Sequence, residues 1–141
     1  MRASGSHSGF TLIEVVVVIT ILAILAAFAI PRFAGLEVEA RTGARDAFAG
    51  RMRSGAALSH ALWLAQGRPA NVTMEGQAIA MVNGYPSLAT INGTIGDLTG
   101  FTHTAGTGVF LKTGGDATCT VRYAEAAGAN AAPTITTGGA C

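Results

Sequence analysis

The segment that decides the fold is GFTLIEVVVVITILAILAAFAIP, residues 9–31. Between Val15 and Ile30 it carries no charge, and Thr20 is its only polar side chain. This uncharged run is 16 residues long, and it extends to 21 when it is counted from Phe10. Because an α-helix rises about 1.5 Å per residue, 21 helical residues approach the ~30 Å thickness of a bilayer's hydrocarbon core. The segment therefore predicts an apolar helix that spans a membrane.

Three interpretations of this helix compete. A helix buried in a soluble core would need a larger domain, because a small domain cannot cover a helix that is apolar all round. An ordinary secretory signal would be cut after the apolar run, where Ala26-Ala27-Phe28-Ala29 offers small residues. The third interpretation places the cut before the run, between Gly9 and Phe10, and keeps the helix in the mature chain.

Glu14 favours the third interpretation. A carboxylate near the start of a membrane segment costs free energy unless it is paired, so a plain signal or anchor has no use for one. Cleavage between Gly9 and Phe10 would create a matching cation, the α-amino group of Phe10, which a neighbouring copy of the chain could bring to the depth of Glu14. Opposite charges attract several-fold more strongly in an apolar bundle than in water, so the pair would select one register between subunits. The alternative is that Glu14 lies at the membrane interface and simply reaches water.

Composition narrows the class of protein. Half of the 141 residues are apolar, 12% are charged and 6% are aromatic, and much of the apolar excess lies between Phe10 and Leu36. The net charge is +1, and loss of Arg2 with a leader would leave 8 basic and 8 acidic side chains. This balance does not provide the basic surface of a dedicated nucleic-acid-binding protein, so we predict no sequence-specific nucleic acid partner. The remaining sequence is rich in Gly, Ala and Thr, which predicts a small head of strands and turns.

Gly9-Phe10-Thr11-Leu12-Ile13-Glu14, followed by the apolar run and Pro31, resembles the class III signal of type IV pilins and related pseudopilins. The resemblance implies that a membrane prepilin peptidase removes residues 1–9 as a leader by cutting after Gly9, and that it methylates the new N-terminal Phe10. It also implies that Glu14, the fifth residue of the mature chain, pairs with the N-terminal amine of a neighbouring subunit during assembly.

Pro31 divides the predicted helix, because proline cannot donate its backbone N–H and strains the preceding turn. Residues 10–35 form the hydrophobic half, which the resemblance makes both transmembrane segment and filament core. Residues 36–66 form an amphipathic half that ends before Gly67-Arg68-Pro69. In assembled pili of this family the segment before such a proline can lose helical structure, which here would be residues 23–31. Many relatives have a glycine early in that segment, whereas this chain has Ala23.

After Pro31 the helix carries an apolar stripe that should pack on the sheet of the head. Its members recur at steps of three and four: Phe33, Leu36, Ala40, Ala44, Ala47, Phe48, Met52 and Ala56. Four arginines lie mostly off this stripe: Arg41, Arg45, Arg51 and Arg53. They either pair with acids on neighbouring subunits or form a solvated helix face. Trp63 is expected to anchor the core of the head.

Residues 67–141 predict a globular β head. Candidate strands are residues 71–74, 77–82, 109–113, 118–124 and 133–137, and they are separated by glycine-containing turns. Asn83-Gly84-Tyr85-Pro86 is expected to form a turn. Alternation of Cys119, Val121 and Tyr123 with polar or small residues suits a half-buried antiparallel strand. We therefore predict an α+β fold with a long N-terminal helix packed on a small antiparallel sheet.

Cys119 and Cys141 are the two cysteines of the chain. In a secreted head such a pair indicates one disulfide, the alternative being two unrelated thiols. The bond would close the loop 119–141, with 21 residues between the cysteines, and would stabilise the fold by roughly 3 kcal/mol in the chain-entropy model. The loop also resembles the disulfide region of type IVa pilins, which lies on the filament surface and often carries adhesion.

A narrower resemblance concerns mannose-sensitive haemagglutinin pilins. It rests on Pro31-Arg32-Phe33, Asn83-Gly84-Tyr85-Pro86, Cys119-Thr120-Val121-Arg122-Tyr123 and the terminal Cys141. The resemblances together imply a structural subunit of a type IV pilus, a homopolymer that acts in adhesion, with motility or DNA uptake as further roles. The implied partners are the prepilin peptidase, an inner-membrane assembly platform, its motor ATPase and an outer-membrane secretin. The precursor would reside in the inner membrane and the assembled pilus outside the cell.

The residues give no indication of an enzyme, a metal site or a cofactor. His60 and His103 have no ligand spacing, and Leu111 stands where a phosphate-binding loop would need glycine before Lys112. Two glycosylation sequons begin at Asn71 and Asn92, which we interpret as strand and turn residues. The main alternative is a pseudopilin of a type II secretion system, although major pseudopilins commonly carry a calcium site and lack this disulfide. A membrane-anchored binding or enzymatic domain with an uncut N-terminus is the other alternative.

Overall fold

Residues 9–129 and 131–141 are described in a computed structural model. They form one long helix, α1 (Leu12–Ala65), a 3₁₀ turn (Ile91–Thr94) and antiparallel strands. The strands are β1 (Asn71–Met74), β2 (Gln77–Val82), β3 (Tyr85–Pro86), β4 (Phe101–His103), β5 (Val109–Lys112), β6 (Thr120–Ala124) and β7 (Thr134–Gly138). The predicted α+β class is confirmed. The chain divides into two compact units, Met1–Glu37 and Val38–Cys141, and α1 is continuous across their boundary.

The second half of α1 buries a narrower face than the sequence predicts. The buried residues are Phe48, Ala49, Met52, Gly55, Ala56 and Ser59, at the spacing of one helical face. Ala47 is exposed, as are Phe33, Leu36 and Ala40, so the predicted stripe is wrong at these positions. Small apolar residues occur on several sides of this helix, and their sequence spacing alone does not tell which side meets the sheets.

The helix ends at Ala65, one residue before the predicted end, because Gly67 adopts a left-handed conformation with φ of 78°. The backbone N–H of Arg68 donates to Trp63 O (2.8 Å), and that of Gly67 donates to Leu64 O (3.3 Å). This pair of bonds is a Schellman cap, which satisfies carbonyls at the helix end that would otherwise lack donors.

The first sheet has the order β1-β2-β3. Glu75 and Gly76 form the two-residue turn between β1 and β2, as predicted, and both have positive φ (47° and 80°). The turn predicted over Asn83-Gly84-Tyr85-Pro86 is shorter. It uses only Asn83 and Gly84, while β3 pairs with Met81 and Val82 of β2.

The second sheet has the order β4-β5-β6-β7. Strands β5, β6 and β7 lie within one or two residues of their predicted bounds, and Val121 and Tyr123 are buried on β6 while Arg122 and Ala124 are exposed. Cys119 is buried on the predicted face, in the disulfide, whereas Thr120 is also buried, contrary to the predicted alternation. Strand β4 was not predicted, because three residues are too few to show a periodic pattern.

The main core is built around Phe48 of α1. Its ring stacks on Phe101 (centroids 4.0 Å apart) and lies near Phe110 (5.3 Å). Phe48 and Phe110 are fully buried, whereas Phe101 is partly exposed. The remaining buried members are Ala49, Met52, Ala56, Ile91, Ile95, Val121 and Tyr123. The second half of α1 therefore carries the second sheet and the 3₁₀ turn on one face.

Trp63 is not a member of this core, which corrects the sequence prediction. It is half-buried near the end of α1, where its ring lies against Gly84 and 5.6 Å from the ring of His60. A Cβ atom at Gly84 would come within 3 Å of the indole. Trp63 thus fixes the β2–β3 turn against α1 because glycine leaves room for the ring there.

Candidate processing and assembly site

Gly9 and Phe10 lie outside the helix, which begins at Leu12. Both are exposed, and Phe10 keeps 88% of its accessible surface. The peptide bond between them is therefore accessible in a non-helical segment, which is what a peptidase requires. Residues 1–8 of the predicted leader lie outside the described residues.

Glu14 caps the start of α1 together with Thr11. One carboxylate oxygen of Glu14 accepts hydrogen bonds from the backbone N–H of Thr11 (2.8 Å) and from its hydroxyl (2.7 Å). In return, the Thr11 hydroxyl oxygen accepts the backbone N–H of Glu14 (3.3 Å). This reciprocal arrangement is a capping box, which satisfies N–H groups that the first helical turn leaves without partners.

The sequence analysis missed this role, although its signal was present. A threonine followed three residues later by a glutamate, at the start of an apolar helix, is the pattern of a capping box. Within the part of the chain that is described, Glu14 is bonded to Thr11 and makes no ion pair with a cationic side chain. A cation for Glu14 would therefore have to come from beyond these residues.

The first half of α1 presents apolar side chains on all sides. Large hydrophobic residues with more than 40% exposure include Val15, Val16, Val17, Val18, Ile19, Ile21, Leu22, Ile24, Leu25, Phe28 and Ile30. By length and composition the helix could cross a membrane, and none of its most apolar window is buried in the structure. Thr20 does not interrupt this surface, because its hydroxyl donates to Val16 O (2.7 Å) on its own helix.

Pro31 and Ala23 both lie within the continuous helix. The chain thus remains helical on either side of the proline, whose missing N–H removes one intrahelical hydrogen bond. Loss of helical structure over residues 23–31 is a property expected of the assembled filament, and it stays a prediction.

Four arginines of α1 bind backbone oxygens of the head. Arg41 donates to Cys141 O (3.3 Å), Arg53 to Ile135 O (3.2 Å) and Arg51 to Asp97 O (3.2 Å). Arg45 donates to Gly139 O (2.9 Å) and Gly138 O (3.4 Å), and it pairs with Asp46 (2.9 Å). Neither sequence alternative, an intersubunit set or a solvated face, anticipated these contacts, because backbone acceptors carry no sequence signal.

Cys119 and Cys141 form a disulfide, with their Cα atoms 4.9 Å apart. Both cysteines are buried. The bond fastens the end of the described chain to the residue that precedes β6, so the loop 119–141 includes β6, β7 and their connection.

No group of three potential metal ligands converges within residues 9–129 and 131–141. His60 stacks on Tyr85 (centroids 4.3 Å apart), and one ring nitrogen lies 2.7 Å from Gly84 O. His103 stacks on Phe110 (4.4 Å). Within the described residues, His60 of α1 and His103 of β4 are thus engaged in ring packing at separate places.

Comparison with protein families finds the prokaryotic N-terminal methylation motif over residues 5–30. Comparison with curated proteins and with solved structures finds no match. The motif covers Gly9, Phe10, the capping box and the apolar run of α1 up to Ile30. It supports a type IV pilin or pseudopilin, and it implies processing by a prepilin peptidase and handling by a pilus-type assembly machinery.

The motif is typical of structural proteins and not of enzymes. The motif and the apolar helix fit an inner-membrane precursor that is assembled into a filament. The chain is therefore similar to type IV pilin-like prepilins in the segment that they share, and its structure has the long helix and small antiparallel sheets expected of such a subunit.

Proposed function

We propose that this chain is the precursor of a structural subunit, the major pilin, of a type IV pilus that serves attachment to surfaces. The observation that carries the proposal is the continuity of the N-terminal segment. The methylation motif, residues 5–30, includes the start of α1, where the apolar side chains from Val15 to Ile30 are exposed on all sides. Such a helix needs a membrane before assembly and other copies of itself after assembly.

Processing prepares the N-terminus for polymerisation. The peptidase hydrolyses the bond between Gly9 and Phe10 and releases residues 1–9, and a methyl group is then added to the amine of Phe10. The methylated amine keeps its positive charge. Its position next to Glu14 of a neighbouring subunit fixes the axial offset between the two helices.

Glu14 gains a second partner in this scheme. In the free subunit its carboxylate caps the helix through Thr11. The second carboxylate oxygen retains its lone pairs, so the N-terminal amine of a neighbour can bind without breaking the cap. The cap also fixes the direction of the carboxylate before the neighbour arrives, which lowers the entropy lost on pairing.

The partners of this scheme are the prepilin peptidase, an inner-membrane platform with its motor ATPase, an outer-membrane secretin and further copies of the chain. A role in motility or DNA uptake would require retraction by the same machinery. The surface that the pilus binds would be contacted by the head, on which the loop 119–141 lies.

The N-terminus and intact mass of protein sheared from the cell surface test the proposal directly. We expect a chain that begins at N-methylated Phe10, with a mass lower than that of the dithiol form by two hydrogen atoms. A sheared protein that begins at Met1, or beyond Ala29, would contradict it, since the first is a plain anchor and the second an ordinary secreted protein.

Two substitutions separate the charge of Glu14 from its cap. Glu14→Gln keeps an acceptor for the Thr11 N–H, because Gln also serves in capping boxes, but it removes the charge. Thr11→Ala removes the capping hydroxyl and keeps the charge, at a cost of about 1 kcal/mol to the helix start. We expect Glu14→Gln to be inserted and cut normally but to reduce surface filaments at least tenfold, since an unmatched amine in an apolar bundle costs several kcal/mol.

The matched control Thr11→Ala should assemble filaments at nearly the wild-type level. Electron microscopy and immunoblots of sheared fractions measure both variants, and a blot of whole cells verifies cleavage. Normal piliation by Glu14→Gln, or an equal loss of surface filaments in both variants, would contradict the role of Glu14 in setting the register. Glu14 would then act only as a helix cap. Glu14→Ala, which removes cap and charge together, should be at least as impaired as Glu14→Gln.

A pseudopilin of a type II secretion system is the second candidate, because the methylation motif is common to both classes. The buried disulfide between Cys119 and Cys141 favours the pilus. Long extracellular fibres in cells that express the chain at its natural level would support the pilus, whereas loss of exoprotein secretion on deletion, without fibres, would support the pseudopilin.

A further inference from the structure

The end of the chain must turn back before its cysteine can meet Cys119. The ladder between β6 and β7 ends at the pair formed by Thr120 and Gly138. Residues 139–141 lie beyond the ladder, so strand pairing does not hold them. Yet Cys141 is buried and bonded to Cys119, which directly precedes β6. Some other contact must hold the last residues in place while the two sulfurs are still separate thiols.

Arg45 supplies one such contact. Its side chain is only 12% exposed, and its guanidinium donates to the backbone oxygens of Gly138 and Gly139 at 3.4 Å and 2.9 Å. A guanidinium that is mostly removed from water needs such acceptors, since leaving its donors unpaired would cost more than the bonds gain. Asp46 accepts a further bond at 2.9 Å and balances part of the charge.

Arg41 supplies the second contact. It lies four residues before Arg45, on the same face of α1, and it donates to the main-chain oxygen of Cys141 at 3.3 Å. The two arginines therefore bind the segment 138–141 at its beginning and at its end. We refer to Arg41 and Arg45 as the arginine clamp.

Gly139 allows the turn that the clamp holds. Its φ is 75°, a conformation that other residues rarely adopt, and a Cβ atom there would collide with the carbonyl group of Thr118. The backbone at Gly139 thus lies directly on the residue that precedes Cys119. This close approach also brings the segment that ends in Cys141 next to the segment that contains Cys119.

We propose that the arginine clamp positions Cys141 for disulfide formation, by holding residues 138–141 on α1 before the bond exists. Arg41 and Arg45 are positioning residues for this oxidation. They act on the backbone of the segment and not on sulfur.

The reaction itself is ordinary thiol–disulfide exchange with a disulfide-bearing oxidant, such as an oxidised dithiol protein or oxidised glutathione. One cysteine, as its thiolate, attacks the disulfide of the oxidant, forms a mixed disulfide and releases one oxidant thiolate. The second cysteine, also as its thiolate, attacks the protein sulfur of the mixed disulfide and releases the other. The protein loses two protons to solvent and two electrons to the oxidant. The clamp accelerates the second step, which requires the two cysteines to be close.

The effective concentration of the two thiols measures this positioning. The full chain, purified in detergent micelles and reduced, is equilibrated with mixtures of reduced and oxidised glutathione, and the oxidised fraction is determined by alkylation and mass. The effective concentration is proportional to the fraction of reduced molecules in which residues 138–141 are held in place. Loss of the clamp lowers that fraction and hence the effective concentration.

We expect Arg41→Met/Arg45→Met to lower the effective concentration about tenfold, since hydrogen bonds from charged donors are the stronger ones. The matched control is Arg51→Met, an arginine of the same helix that binds Asp97 O, outside the loop 119–141. It should stay within about twofold of wild type. Arg45→Lys, which keeps the charge but loses the forked donor, should be intermediate.

Fluorescence of Trp63 verifies folding, because this residue contacts Gly84 and His60 and not the segment 138–141. If the double variant does not fold, Arg41→Met alone is compared with Arg51→Met by the same measurement. An effective concentration that is equal in clamp and control variants would overturn the proposal. Because the experiment uses unassembled chains, that result would leave the filament role untouched.

Discussion

Glu14 shows at the scale of one residue how a local contact and an intermolecular one can share a side chain. In the subunit its carboxylate closes a capping box with Thr11, at 2.8 Å and 2.7 Å. In the proposed filament the same carboxylate also binds an amine from a neighbour. A variant that simply deletes the side chain removes both interactions, so only the comparison of Glu14→Gln with Thr11→Ala can tell them apart.

Two glycines of α1 differ in whether the surrounding structure leaves room for a side chain. A Cβ atom at Gly55 would lie 2.5 Å from Thr94 O, in a buried place where the 3₁₀ turn meets the helix. At Gly43 no atom lies within 4 Å of the corresponding position. Gly55 is thus required by a close approach of the backbone, whereas nothing within the described chain requires Gly43.

We therefore expect Gly55→Ala to destabilise the head by about 1–3 kcal/mol, because the helix or the 3₁₀ turn must shift. The control Gly43→Ala should be neutral or stabilise the helix by up to about 1 kcal/mol, since alanine is the better helix former. Thermal unfolding of the detergent-solubilised monomer, followed by circular dichroism, measures both. A Gly55→Ala variant as stable as Gly43→Ala would show that the contact with Thr94 yields easily.

At the scale of elements, α1 acts as two different helices joined end to end. The described side chains of its first half are exposed, whereas its second half carries the core through Phe48 and Met52. The second half also closes an edge of the sheet, because Arg53 and Arg45 bind carbonyl groups of β7. An edge strand covered in this way is protected from pairing with strands of other chains.

The turn between β5 and β6 is held by a carboxylate. One oxygen of Asp116 accepts the backbone N–H of Thr118 (3.0 Å) and its hydroxyl (3.1 Å). These hydrogen bonds, the backbone one first, lower the pKa of Asp116 below its usual 3.8. The pKa of Asp116 is therefore lower in the folded than in the unfolded chain. The stabilisation that its hydrogen bonds provide is complete above pH 3.8, and it is lost as the pH falls through the pKa of the folded state.

We expect Asp116→Asn to reduce the fall in melting temperature between pH 5 and pH 2, because asparagine keeps an acceptor for Thr118 and does not titrate. The control is Glu75→Gln, at the β1–β2 turn, whose side chain makes no hydrogen bond in the described structure. Calorimetry across this pH range measures the slopes. If the melting temperature fell with pH as in wild type for Asp116→Asn but fell less steeply for Glu75→Gln, the role of Asp116 in acid destabilisation would be contradicted.

At the scale of the whole head, polar contacts join the two sheets. The hydroxyl of Tyr123 on β6 donates to Pro86 O of β3 at 2.6 Å in the buried interior. Asn83 donates to Ala126 O (2.7 Å), and Glu125 accepts the backbone N–H of Leu88. Burial, followed by the charge of Glu125, raises the pKa of Tyr123 above its usual 10, so the hydroxyl remains a donor at neutral pH.

We expect Tyr123→Phe to destabilise the head by about 1–3 kcal/mol, since the Pro86 carbonyl loses its donor in a buried place. The control Tyr85→Phe removes a hydroxyl that makes no hydrogen bond among the described residues, and it should change stability by less than about 0.5 kcal/mol. Chemical unfolding with both variants provides the comparison. Equal stability of the two variants would mean that the hydrogen bond from Tyr123 to Pro86 does not stabilise the packing of the two sheets.

Local patterns in the sequence were sufficient for the first half of α1, for the turn at Glu75-Gly76 and for most strands. The apolar run from Val15 to Ile30 predicts a helix that could cross a membrane, and the residues at Glu75-Gly76 and Gly67 favour their turns by backbone sterics. The methylation motif likewise lies in one continuous segment, residues 5–30, so its recognition needs no knowledge of the fold.

Only the tertiary structure decided which face of the second half of α1 is buried, where Trp63 lies and what the arginines bind. Small residues surround that part of the helix, so its buried face depends on where Phe101 and Phe110 approach from distant strands. Arg41 and Arg45 donate to backbone oxygens that are 93 to 100 residues away in the sequence. Every residue carries such an oxygen, so no side-chain pattern can reveal which ones the fold will bring to the helix.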